Sequence, residues 1–201
     1  MPRAIVHAAA LALLVLATLS ATMVAAQGTP AAQGTPVTED VPTNLVPPDG
    51  SVLLFELVAR GVQIYACDVD PDDATAYIWI FQAPEADLLN RKGEVVGHHF
   101  AGPTWQGSDG SAVVGTVLER ADAPEPAAIP WLLLEATEHE GSGVFSTVTH
   151  IQRLDTVGGA APVEVCDEEH VGEEASVPYA ATYAFFYPAP PATPEAATPA
   201  A

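Results

Sequence analysis

The apolar residues between Val46 and Tyr187 come in short runs, each cut off by Gly, Pro, Asp or Ser before it reaches the length of a core helix. Val52–Ala59 (VLLFELVA) and Val62–Cys67 (VQIYAC) flank an interruption at Arg60-Gly61, and Ala74–Phe81 (ATAYIWIF) carries aromatics at a spacing of two. Glu94–Phe100, Ser111–Leu118, Ile129–Ala136, Val144–Leu154 and Tyr179–Tyr187 follow, separated by GPTWQGSDG, the Pro-rich ADAPEPAA and EHEGSG. Pro84–Asn90 (PEADLLN) alone reads as a helical turn, with Pro at a tolerated first position. Seven or eight strands at this spacing predict an all-β domain, an antiparallel sandwich or barrel.

The two ends read differently. Met1-Pro2-Arg3 is a short basic start, Ala4–Leu19 is almost continuously apolar, and Val24-Ala25-Ala26 offers small residues for a signal peptidase. Residues 1–26 therefore read as a signal peptide cleaved after Ala26, the rival being an uncleaved membrane anchor. Residues 27–45 open with a doubled QGTP unit and 188–201 are rich in Pro, Ala and Thr; both have too little bulky apolar surface to pack. They are expected to be disordered tethers around a single domain at 46–187, in a protein secreted or held in the cell envelope.

The charge balance narrows the partners. Twenty-six acidic residues stand against six basic ones, a formal net charge of −20. Such a surface repels phosphate backbones and anionic headgroups, so nucleic acid and membrane-surface partners are disfavoured, and no membrane insertion is expected after signal cleavage. Cations or neutral ligands fit the total better, although such charge also serves solubility alone.

Cys67 and Cys166 form an even pair, which in an oxidising compartment reads first as a disulfide. On the chain-entropy model so long a loop gives roughly 4 to 5 kcal/mol as an upper bound, because native strain subtracts from it. The rival is a metal site using Cys166 and His170, a weak Cys-x3-His fragment.

Several ordered motifs stand out: GVQIYAC (61–67), GHHFAGPTW (97–105), DGS (109–111), IPWLLL (129–134), IQRLDT-x-GG-x-AP (151–162), Cys166-Asp167 and VPYAATYAFF (177–186). Together they resemble a family of exported bacterial and fungal proteins classed as a domain of unknown function, over about Val46 to Tyr187. The resemblance implies no activity or ligand. Some fungal members bear a malate dehydrogenase label, which this chain does not support, since it has no strand-GxGxxG-helix unit.

The candidate chemistry is sparse. If Glu94–Phe100 is a strand, His98 and His99 point to opposite faces and cannot share a metal. His99 reads either as a hydrogen-bonding residue that fixes the Ala101-Gly102-Pro103 turn or as a ligand or general base. His139 falls in an expected turn and His150 in mid-strand. Asp68, Asp70, Asp72 and Asp73 open like a calcium loop, then fail at its sixth and twelfth places, where Asp73 and Trp79 stand; a weak cation-binding turn is weighed against a solvated acidic one. There is no GxSxG elbow, and Gly107–Ser111 reads as a hairpin turn. Carboxylates are so plentiful that no glycosidase-like pair can be singled out. Arg153 reads either as an internal salt bridge or as the anchor of an anionic group in a cleft. Trp131 reads as core.

No catalytic residue, metal site or cofactor is assigned. The candidate ligand-binding residues are His99, Trp105, Gln152 and Arg153. The expected function is a non-enzymatic binding or surface-interaction module with an unknown ligand or envelope component as partner. The alternatives are an extracellular hydrolase or metal-assisted enzyme centred on His99, and a structural cell-envelope component.

Overall fold

The computed structural model describes residues 41–189. The expected signal peptide, and the greater part of both expected tethers, lie outside them. Eight strands run in order: β1 Ser51–Asp70, β2 Asp73–Leu89, β3 Val95–Phe100, β4 Thr104–Gly107, β5 Ala112–Ala121, β6 Trp131–Glu140, β7 His150–Gly158 and β8 Glu174–Pro188. Each is antiparallel to the next, and β8 pairs with β1, so one sheet closes on itself as an up-and-down barrel of unequal strands. This is the expected all-β class. Among the described residues no helix is long and apolar enough to cross a membrane.

Alternation explains the interior. Leu57, Ala59, Gln63, Tyr65 and Cys67 of β1 are buried at every second place or multiple of it, as are Tyr179, Ala181, Tyr183 and Phe185 of β8. The IPWLLL run is buried on both faces for a separate reason. Leu132 and Leu134 point into the barrel, whereas Trp131 and Leu133 form an outer cluster with Leu45. Thr43–Leu45 make a single 3-10 turn that lays Leu45, fully buried, over this outer face. The packed structure thus begins ahead of the expected boundary at Val46.

Four local expectations are corrected. Arg60-Gly61 does not interrupt a strand: β1 runs through it, and Gly61 is needed because a Cβ there would stand 2.0 Å from Glu85 O on β2. Pro84–Asn90 is not a helical turn but the end of β2 and its following residue, with Pro84, Ala86 and Leu88 buried and Glu85 and Asp87 exposed. Pro84 stands opposite Gln63 of β1, and β3 pairs with β2 only from Ala86 onward, so on its other side Pro84 has no strand partner to deprive of a hydrogen bond. Thr104–Gly107, read as part of a connection, is the short strand β4. Finally, β7 starts at His150 rather than Val144, because Asp109 Oδ2 accepts from Val144 N at 2.9 Å and Ser111 Oγ from Phe145 N at 3.2 Å. That capture turns the chain and buries Phe145 against Phe55 and Phe185, with ring centroids 5.5 and 5.0 Å away.

Cys67 and Cys166 are disulfide-bonded, their Cα atoms 5.5 Å apart. The bond ties the end of β1 to the connection between β7 and β8, which is also held by Cys67 N donating to Glu173 O and Gly172 N donating to Cys67 O, both at 2.9 Å. The rival Cys166/His170 metal site is thereby overturned. His170 instead contacts Asp167 at 2.6 Å.

Candidate functional site

The interior is filled unequally along its length. Phe55, Phe145 and Phe185 close one part of it, and their aromatic packing continues through Phe185 to Trp105 at 6.1 Å and on to Tyr183 at 5.3 Å. Beyond Trp105 and Tyr183 the side chains leave a cavity of about 550 Å³. Its mouth is marked by Phe81 and Val117, which line it and are well exposed.

The β3–β4 hairpin builds one wall. Its three-residue connection, Ala101-Gly102-Pro103, places His99 directly opposite Trp105 in the ladder. Gly102 takes φ +126°, a conformation that favours glycine. The two rings stack at 4.5 Å with planes 10° apart, and Tyr183 meets the His99 ring edgewise at 5.0 Å. His99 Nδ1 lies 2.8 Å from Thr104 O. A carbonyl only accepts, so Nδ1 carries the proton of the neutral ring and Nε2 is left as an acceptor. Burial pushes the His99 pKa down to about 3, opposed by the Thr104 contact and reinforced by the nearby Arg153 charge. A ring so held is neutral at physiological pH. His98 points outward to Asp87, as expected of its neighbour on a strand.

His99 bonds across the hairpin turn to Thr104 O, and its side chain also lines the cavity. Trp105 lines the same space and is 1% exposed, so neither ring is the solvent-accessible aromatic expected of an open cleft. Arg153 lines it too, from β7. Its Nε donates to Pro130 O at 3.0 Å, and it forms no ion pair with a carboxylate among the described residues, which overturns the internal salt bridge. Two residues beyond it, Asp155 takes φ +49° within the irregularity between Leu154 and Val157, and Thr156 Oγ1 donates to Ile129 O at 2.6 Å.

Gln152 is not brought to this site. Strand alternation turns it to the outer face, where it is 6% exposed and its Nε2 donates to Leu45 O at 2.6 Å. Its role is to hold the N-terminal turn. Among the described residues no three His, Cys, Asp or Glu side chains converge as metal ligands. In the acidic run, Asp70 and Asp73 accept from the backbone of Asp72 and Thr75 at 2.9 Å each.

The family model described as a protein of unknown function, DUF3455, matches residues 47–187, more than half of the chain. The chain belongs to the DUF3455 family. No curated protein and no solved structure matches it.

Three residues of the DUF3455 cavity were not singled out by sequence reasoning: Gln63, Tyr65 and Tyr183. Tyr65 Oη donates to Gly159 O at 2.6 Å, where φ is +81° and a Cβ would stand 2.8 Å from Tyr179 Cβ. Gln63 Nε2, Tyr183 Oη and Trp105 Nε1 are buried without a hydrogen-bond partner among the described residues. Tyr183 Oη lies near Arg153 and Tyr179 but reaches hydrogen-bond geometry with neither. The signal for Gln63 and Tyr65 was present in the period-two pattern of GVQIYAC, and that for Tyr183 in the alternation of Tyr179, Ala181, Tyr183 and Phe185.

Proposed function

We propose that this DUF3455 domain is an exported, non-enzymatic binding module that takes one small, largely apolar molecule into the barrel beside Trp105. The observation that carries the reading is the cavity of about 550 Å³, bounded by aromatic and aliphatic side chains with a few polar groups converging on it. That volume and lining are typical of small-molecule sites, and an eight-stranded barrel is just wide enough to be filled or to hold one such ligand. Unpartnered buried polar atoms support it further, because each costs about 1–3 kcal/mol unless something satisfies it. A hydrolytic reading centred on His99 gains less support: the ring is neutral, it contacts a carbonyl, and among the described residues no Asp or Glu lines the cavity to orient it. Export accords with the disulfide.

The test is a titration with neutral N-phenyl-1-naphthylamine. Trp79→Phe with Trp131→Phe leaves Trp105 as the single Trp reporter. Saturable binding that changes Trp105 emission, and is lost in Val117→Phe at the mouth, is the expected result. Absence of saturable binding, or binding indifferent to Val117→Phe, contradicts it. For export, N-terminal sequencing of the mature protein should begin at Gln27; an intact Met1 on the exported product points to the anchor instead.

A further inference from the structure

The chain's total charge of −20 gives no hint of the charge inside its cavity. Among the described residues no Asp or Glu lines it, whereas Arg120 and Arg153, two of only six Lys and Arg residues in the sequence, both do. Arg120 is exposed, toward solvent. Arg153 is half-buried, held by the Pro130 carbonyl, and without a carboxylate counter-charge among the described residues. Its charge is felt at four rings around it, Tyr65, His99, Tyr179 and Tyr183. A cation drawn out of water is costly unless an anion and further hydrogen bonds complete its surroundings.

The neighbouring polar atoms have matching chemistry. Trp105 Nε1 donates a hydrogen bond and the Tyr183 hydroxyl is able to, and both are buried without a partner among the described residues; Gln63 Nε2 also lacks a partner of good geometry, although it lies beside Tyr179. A guanidinium that lines one cavity with such donors is suited to an acceptor-rich, negatively charged group, and the planar fork favours a bidentate oxyanion. We infer that the molecule held in the cavity is an apolar acid whose carboxylate or sulfonate head seats on Arg153, with its apolar body against Trp105, Leu132 and Leu134. This rests on the cavity-binding reading and adds the sign and position of the ligand's charge. The outer acidity then works as a filter, because an anionic ligand gains attraction only at the mouth and interior, where the Arg residues lie.

The experiment compares three probes with one ring system on the purified protein: 2-naphthoate, 2-naphthylmethanol and 2-naphthylmethylammonium. Naphthoate should bind at least about tenfold more tightly than the alcohol, with the ammonium weakest. Arg153→Met should bring naphthoate down to the level of the alcohol while alcohol binding stays within about twofold, and Arg120→Gln should keep the preference. Should Arg153→Met fail to fold, Arg153→Lys, which keeps the charge and loses the fork, should reduce the preference. The inference is overturned if the alcohol or the ammonium binds as well as naphthoate, or if the preference survives Arg153→Met. Failure of all three probes and of N-phenyl-1-naphthylamine together would sink the cavity-binding reading itself, which separates the two outcomes.

Discussion

Gly115 and Trp105 share one space: a Cβ on Gly115 would stand 3.1 Å from Trp105 Cζ3 and 3.5 Å from Leu134 Cβ. The indole can lie flat on His99 only because β5 offers bare backbone behind it. Gly115→Val should therefore displace the ring and lower stability by about 1–3 kcal/mol through overpacking. Thermal melting reads the loss, and a red shift of Trp emission reads the displacement. An unchanged melting temperature would show that the pocket behind Trp105 is looser than this.

His99 ties stability to pH with a definite sign. Its folded pKa, about 3, lies below the ordinary 6.5, so the unfolded chain binds the proton more readily. The contribution is complete above pH 6.5 and is lost as pH falls toward 3, by about 3 kcal/mol at pH 4. Asp109, held below the usual carboxylate range by Ser111 and the Val144 amide, loses its share only below about 3.8. His170, raised by Asp167, works in the opposite sense, its contribution fading as pH rises, and it lies on the surface, where such pairs are weak. Urea midpoints from pH 7 to 4 should fall steeply in the wild type and much less in His99→Phe. Equal slopes would refute the assignment.

Gln152 makes the opposite prediction from its neighbour. Gln152→Leu leaves the Leu45 carbonyl without its donor and should cost about 1–3 kcal/mol, with probe binding in the cavity unchanged. Leu45→Ala should cost about 2–5 kcal/mol by opening the Trp131 and Leu133 cluster. Impaired naphthoate binding at constant fold in Gln152→Leu would return that residue to the site.

Cys67→Ser with Cys166→Ser should lower stability by up to roughly 4–5 kcal/mol and slow refolding. Non-reducing peptide mass spectrometry should find the linked pair in the wild-type protein. A refolding rate equal to the wild type's would confine the bond's effect to stability.

The strand alternation in β1, β3 and β8 was legible because one face of each is wet or lightly covered. β6 gave no such signal, since Trp131–Leu134 are buried on both sides by contacts made with distant Leu45. Pro84 misled because its tolerance in β2 depends on where β3 starts to pair, a tertiary fact. The grouping of His99, Trp105 and Arg153 was foreseeable from their motifs, but the separation of Gln152 from Arg153 follows from the same alternation that set His98 apart from His99. That Arg153 has no carboxylate partner among the described residues was not legible at all. In a sequence with 26 acids, its freedom is a matter of which side of the sheet those acids occupy.

The placement of the disulfide has a kinetic meaning. Every strand pairs with its chain neighbours except at the seam, where β1 must find β8 across most of the domain. Hairpins form quickly; such an encounter between remote segments is the slow, entropically costly step. Cys67 sits one residue past the Ala66↔Glu174 pair, the inner end of that seam. Once the thiols are joined, β8 starts beside its partner and pairing proceeds like a zipper toward Ser51↔Pro188. With the thiols reduced the same chain lacks that starting point, and ring closure must wait for the unassisted encounter of its two ends.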